Sequence, residues 1–265
     1  MYIERNVVSG QVLAEVPFPP SVNDIYPPAL VDAAPWLTKF SLFLWLAAAL
    51  VIVFFLIAYR SPKIVPTKGQ WLAESLYGFV REGVAKDVIG HEGLRFAPYL
   101  ASLFIFILVG NVFSIVPFIQ VSPNAHIAFP LMLALCTYFL YLYQGFKKHG
   151  FLGYFKHATV LPAPWFMQPL LLPIEALQAF ILQPLTLALR LFANMFAGHM
   201  LLLVFTLGGF ALLNAESFFL KPISLVSWAM TIMLTFFELL IAALQAYVFT
   251  LLTANYLAGT LADEH

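Results

Sequence analysis

Arg190 stands inside a membrane-length apolar run, in the text Gln183-Pro184-Leu185-Thr186-Leu187-Ala188-Leu189-Arg190-Leu191-Phe192-Ala193-Asn194-Met195-Phe196-Ala197-Gly198-His199. Between residues 158 and 215 the other formal charge is Glu175. A guanidinium keeps its proton in essentially any protein site. At bilayer depth it costs roughly 2.5–3.5 kcal/mol on insertion scales, so it normally faces a water-filled path, an ion pathway or a carboxylate. The bland alternative is an arginine that snorkels from a helix end. Apolar residues continue for more than a turn on both sides, which argues against it.

A carboxylate, Glu238, lies in the next apolar run. Ser224, Thr231, Glu238 and Gln245 recur every seven residues, a drift of only about 20° per step on a helix. They form one polar stripe. On the preceding run Gln183, Thr186 and Asn194 fall within about 40° of Arg190. Each run therefore carries a polar line, one with a fixed cation and one with an ionisable acid. Glu238 is a candidate proton site, or a salt-bridge partner for Arg190. His199 titrates near neutrality and suits proton transfer, or else it bonds a neighbouring helix. On ideal geometry it points about 180° away from Arg190. Asn194 and Gln245 either orient Arg190 and water or join the helices. Glu175, about four turns before Arg190, either lines an aqueous entry or sits at the interface. Asn111 and Ser114 interrupt another apolar span and are weak signals alone. This is chemistry of moving protons or ions. No nucleophile–base pair, phosphate-cradling loop or metal-ligand cluster stands out, so no catalytic residue, cofactor or metal is expected.

Membrane helices must position these groups. The chain is 62% apolar and 10% charged, against about 25% charged in soluble domains. The apolar runs are continuous, which excludes the alternating strands of a barrel. Crossing about 30 Å of hydrocarbon takes about 20 apolar residues. Spans are expected near 39–59, 96–119 and 126–146. Two much longer runs follow, over 168–214 and about 220–258. These read as a hairpin of long tilted helices, kinked near Pro169, Pro173 or Pro184. Small residues Ala193, Ala197, Gly198, Ala242, Ala243 and Ala246 would let the two backbones approach closely. Leu72, Leu76, Phe79, Val80 and Val84 mark an amphipathic surface helix over about 69–89. The expectation is an all-α integral membrane protein with about five membrane helices. It divides into an external segment 1–38, peripheral helices and cytoplasmic loops 39–167, and the hairpin 168–265.

The loops over 60–95 and 147–167 hold nine Lys and Arg, against three on the opposite side. The positive-inside rule puts those loops in the cytoplasm, the N-terminus outside and the C-terminus inside. Zero net charge gives no argument for nucleic acid. Cys136, the single cysteine, cannot form an intrachain disulfide. No signal or transit peptide is expected. That favours a bacterial plasma membrane, with a mitochondrial inner or thylakoid membrane as the alternative.

The segment Pro184 to His199 closely resembles the signature of subunit a of F-type ATP synthases. Glu238, followed by Leu244-Gln245-Ala246-Tyr247-Val248-Phe249 and Tyr256-Leu257, is a second match. The resemblance covers most of residues 39–262. It implies a subunit set against a rotating ring of c subunits, each bearing a carboxylate, with the peripheral stalk (subunit b), the soluble ATPase head and membrane lipids as further partners. Arg190 would match the arginine that attracts each ring carboxylate and separates two offset half-channels. Glu238 and His199 would match the pair lining the outer half-channel, and Asn194 and Gln245 the polar neighbours of the arginine. Asn111 and Ser114 would match the outer wall, where some members carry an acid in place of Ser114. Glu175 would match the acid of the cytoplasmic half-channel. The competing reading is an ion-coupled secondary transporter, with Arg190 binding an anionic substrate and Glu238 as the coupling site. The absence of a repeat and of broken Gly-rich helices argues against it. A structural subunit of a redox complex is a third.

Overall fold

Among the described residues, five helices are long and apolar enough to cross a membrane: Lys39–Ala58, His91–Val112, Ala128–Phe151, Leu170–Leu213 and Phe218–Leu261. The computed structural model describes residues 18–20, 38–60, 62–116, 119, 121–159, 167–215 and 218–262. Among them every regular element is helical. The expected external segment 1–38 lies almost wholly outside the described residues.

Helix α1 (Lys39–Ala58) starts at a capping box in which the Thr38 hydroxyl accepts from the Ser41 amide and the Ser41 hydroxyl accepts from the Thr38 amide. Helix α2 (Lys68–Val80) is capped by Thr67 and widens into a π-helical stretch, Arg81–Ile89. Gly90, at φ 89°, ends that stretch in a conformation costly for any residue with a Cβ. Of the expected apolar residues, Val80 and Val84 face the chain. Ala73, Val80 and Val84 are buried, while Trp71, Leu72 and Phe79 are exposed.

Helix α3 (Ala97–Val112) ends sooner than the 119 expected. Its last turn tightens as the Ser114 amide bonds the Asn111 carbonyl, and Pro117 disfavours helix in the residue before it. Helix α4 (Ala128–Thr159) runs past the expected 146, with a break at Gly150, φ 72°. Before that break, Lys148 and His149 reach the last carbonyls of the final helix, at Leu261 and Thr260. Cations near a helix C-terminus are favourable there.

Helix α5 (Gln168–Leu177) passes through a π-helical stretch, Gln178–Leu182, into α6 (Gln183–Leu213). Pro184 accounts for the widening, because its ring crowds the carbonyl four residues back, at Phe180. Helix α7 (Lys221–Leu261) is a single helix of 41 residues. That is roughly 60 Å at 1.5 Å per residue, about twice the hydrocarbon thickness.

The chain falls into two compact units. The smaller contains Met200–Phe236. Within it, the Ser227 hydroxyl donates to the Phe205 carbonyl at 2.7 Å. Trp228 lies edge-on to Phe210 and directly against Gly209. The larger contains Pro27–His199 and Phe237–His265. There α1 and α2 pack on α3, and α4 packs on α5. In the larger unit Asn194 meets Gln245 and Gly198 meets Glu238, so α6 and α7 run antiparallel there.

Candidate functional site

All eight candidate residues belong to the larger unit. Arg190 is exposed on α6. Pro184, Leu187, Ala188, Leu191 and Met195 turn into the chain, while Thr186, Leu189, Arg190, Ala193, Asn194 and Ala197 are exposed. The spacing 186, 190, 193, 197 is one helix face. It carries a cation flanked by two alanines. No carboxylate among the described residues comes within 4 Å of Arg190. Glu238 is therefore not its salt-bridge partner.

Glu238 is buried at 3% exposure, and neither carboxyl oxygen has a hydrogen-bond partner among the described residues. Gly198 explains how α6 comes so close. A Cβ there would lie 3.1 Å from Glu238 Oε1. His199 is the next residue and is half-buried. Its half-turn offset from Arg190 leaves the two on different sides of α6. The Ser114 hydroxyl lies near the Glu238 carboxyl and donates its one proton to the Asn111 carbonyl at 2.7 Å. Buried polar groups are nearly always paired. An unpaired carboxyl marks a place built for something other than stability.

Asn194 and Gln245 do meet. The Asn194 amide donates to Gln245 Oε1 at 2.6 Å, and Gln245 Nε2 is buried without an acceptor among the described residues. Asn111 is fully buried and donates to the Ala242 carbonyl at 3.2 Å.

Glu175 lies elsewhere, on a polar cavity of 180 Å³ with Gln178, Gln183, Asn255, Tyr256 and Thr260. Tyr256, in the cavity wall, neighbours Thr186 on the arginine face. Tyr154 also lines it, and burial pushes its hydroxyl up to about 12, so it stays protonated.

The small residues divide differently from expectation. Gly198, Ala242 and Ala246 are at helix contacts, whereas Ala193, Ala197 and Ala243 are exposed. Ala193 and Ala197 sit with Arg190 on the outward face of α6. Sequence reasoning missed Asn124, Gln178, Asn255 and Tyr154. The Ser122-Pro123-Asn124 turn was a visible polar cluster. Asn255 is one polar residue in an apolar helix, with nothing in its spacing to mark it.

Residues 41–258 match the family model described as ATP synthase A chain. The chain is 44% identical over 231 residues to ATP synthase subunit a of Nocardioides sp., covering 86% of this chain and 83% of that protein. It is 43% identical over 252 residues to ATP synthase subunit a of Pseudarthrobacter chlorophenolicus, covering 93% and 94%. With ATP synthase subunit a of Frankia alni it shares 47% identity over 222 residues, covering 83% and 76%.

Proposed function

The chain belongs to the ATP synthase A chain family, and from that premise we propose that it conducts protons through the membrane sector of an ATP synthase. It does so without a catalytic centre of its own. Protons pass between this chain and carboxylates on a rotating ring of partner subunits. Arg190 attracts each deprotonated ring carboxylate and blocks a direct path. The observation that carries this reading is the exposed face Thr186–Arg190–Ala193–Ala197, whose cation has no acid among the described residues within 4 Å.

Two paths reach that face. Glu238, His199, Asn111 and Ser114 belong to the outer path. Glu175, Gln183, Asn255 and Tyr256 belong to the cytoplasmic one, supported by their shared cavity. Asn194 and Gln245 hold the edge between α6 and α7 beside the arginine. The basic loops lie in the cytoplasm, with the N-terminus outside. A proton crossing the potential gains about 2.3 kcal/mol per 100 mV. One continuous water path would dissipate that gain as leak. A permanent cation at the junction repels protons and still attracts a carboxylate, which a lysine able to lose its proton would do less well.

Cysteines placed singly along α6 test the orientation. Substitutions at Thr186, Ala193 and Ala197 are expected to cross-link to ring subunits. Substitutions at the buried Leu187, Leu191 and Met195 are not. The reverse pattern would refute the proposal.

A further inference from the structure

The turn Pro123–Ala125, after α3, carries a buried side chain that the transport reading does not use. Asn124 is 2% exposed. It donates from Nδ2 to Asn111 Oδ1 at 2.7 Å. Asn111 in turn donates from Nδ2 to the Ala242 carbonyl at 3.2 Å. Ala242 lies one helical turn beyond Glu238 on α7. The turn itself is fixed at both ends. The Ser122 hydroxyl donates to the Gly110 carbonyl at 3.1 Å and accepts from the Asn124 amide at 3.2 Å.

The direction of this relay follows from its last member. A backbone carbonyl can only accept, so Asn111 must present its NH2 to Ala242. Its oxygen is then left for Asn124, which must donate. Gly110 leaves room for that contact, since a Cβ there would lie 3.2 Å from Asn124 Nδ2. The same Asn111 residue holds Ser114, through its carbonyl, beside the Glu238 carboxyl.

We propose that Asn124 is a positioning residue for proton transfer at Glu238: it locks Asn111, and Asn111 fixes both the α7 backbone beyond Glu238 and the Ser114 hydroxyl next to it. This rests on the reading of Glu238 as a proton site. The donor is essential. An aspartate has the same shape but, when ionised, only accepts, and it would set two oxygens against Asn111 Oδ1.

The test uses the whole ATP synthase in inverted membrane vesicles. ATP-driven acidification is measured across pH and normalised to assembled complex. The variants are Asn124→Ala, Asn124→Asp, Asn111→Ala, the double alanine variant and Gly110→Ala, with Glu238→Gln as reference. Asn124→Ala and Asn124→Asp are expected to lower pumping per complex about fivefold or more, the scale of one buried hydrogen bond, and to shift the pH profile. The double variant is expected to pump no worse than Asn111→Ala alone, because residues acting in series are non-additive. Gly110→Ala keeps Asn124 and crowds it, so it gives a milder change of the same kind and serves if the alanine variants fail to assemble. Normal pumping per complex with an unshifted profile, or additive losses in the double variant, would overturn the assignment. Normal pumping by Glu238→Gln would instead overturn the transport reading, which keeps the two failures apart.

Discussion

Glu238 on α7 and Arg190 on α6 are charged groups within apolar runs, and their surroundings are opposite. Glu238 is enclosed. Gly198, Ser114 and the Asn111–Asn124 relay bring three segments of chain around it, and its oxygens have no hydrogen-bond partner among the described residues. Arg190 is open. It stands between small exposed residues on a face that this chain leaves bare. A cation and an acid on neighbouring helices would gain by pairing, yet they are kept apart. On the proposed reading the acid exchanges a proton, and the cation is left for an acid supplied by another chain.

The sharpest way to break this comparison is to neutralise the enclosed side. Glu238→Gln preserves shape and removes the titrating proton. Pumping per assembled complex is expected to fall about a hundredfold, the scale of a lost acid–base group. A near-normal rate, measured by acidification of inverted vesicles, would leave Glu238 structural.

The edge between the two environments comes next. Gln245→Leu removes the acceptor of the 2.6 Å bond from Asn194. A loss of roughly fivefold is expected from one such bond. Asn194→Ala should cost about the same, and the double variant little more. Additive losses, in the same pumping assay, would mean that the two amides act separately.

Glycines separate a chemical effect from a packing effect. Gly198→Ala would put a methyl 3.1 Å from a Glu238 oxygen. It is expected to alter the pH profile and to reduce pumping about twofold to threefold, the modest scale of a small overpacking strain. Gly209→Ala would put one 2.3 Å from Trp228 Nε1 in the smaller unit. Its expected effect is poorer assembly, read from complex yield, with an unchanged profile in what assembles.

The smallest effect belongs to Glu82. The hydrogen bond from Lys86, at 2.8 Å, holds its carboxyl below the usual range, and both side chains are about half exposed. A lowered carboxylate stabilises above its ordinary titration range, and the contribution is lost as pH falls through its folded-state value. The water-exposed setting makes that contribution negligible. Glu82→Gln should leave pumping and thermal stability at pH 7 unchanged. A clear drop in either would point to a contact that this chain alone does not provide.

Much of the site was legible because its members are costly in lipid. Arg190 and Glu238 stand out against apolar neighbours, and a seven-residue spacing identifies Gln245. The half-turn between Arg190 and His199 was also readable, though it looked like a conflict until one face proved to be outward. What sequence could not give were contacts set by tertiary approach. Nothing local to Asn124 says that it meets Asn111 across a turn, or that Asn111 reaches a carbonyl 131 residues away. Helical periodicity placed Ala193 and Ala197 on a stripe but could not say that the stripe is exposed. The short end of α3 depended on Pro117 and a tightened turn, both weaker signals than the apolar run that continued through them.

The most direct test of the separation between the two environments is Arg190→Ala in inverted vesicles, measuring ATP-driven acidification together with passive proton leak in assembled complexes. The account predicts that pumping is abolished and that leak rises, since the barrier between the outer and cytoplasmic paths is gone. Normal pumping with no added leak would contradict it.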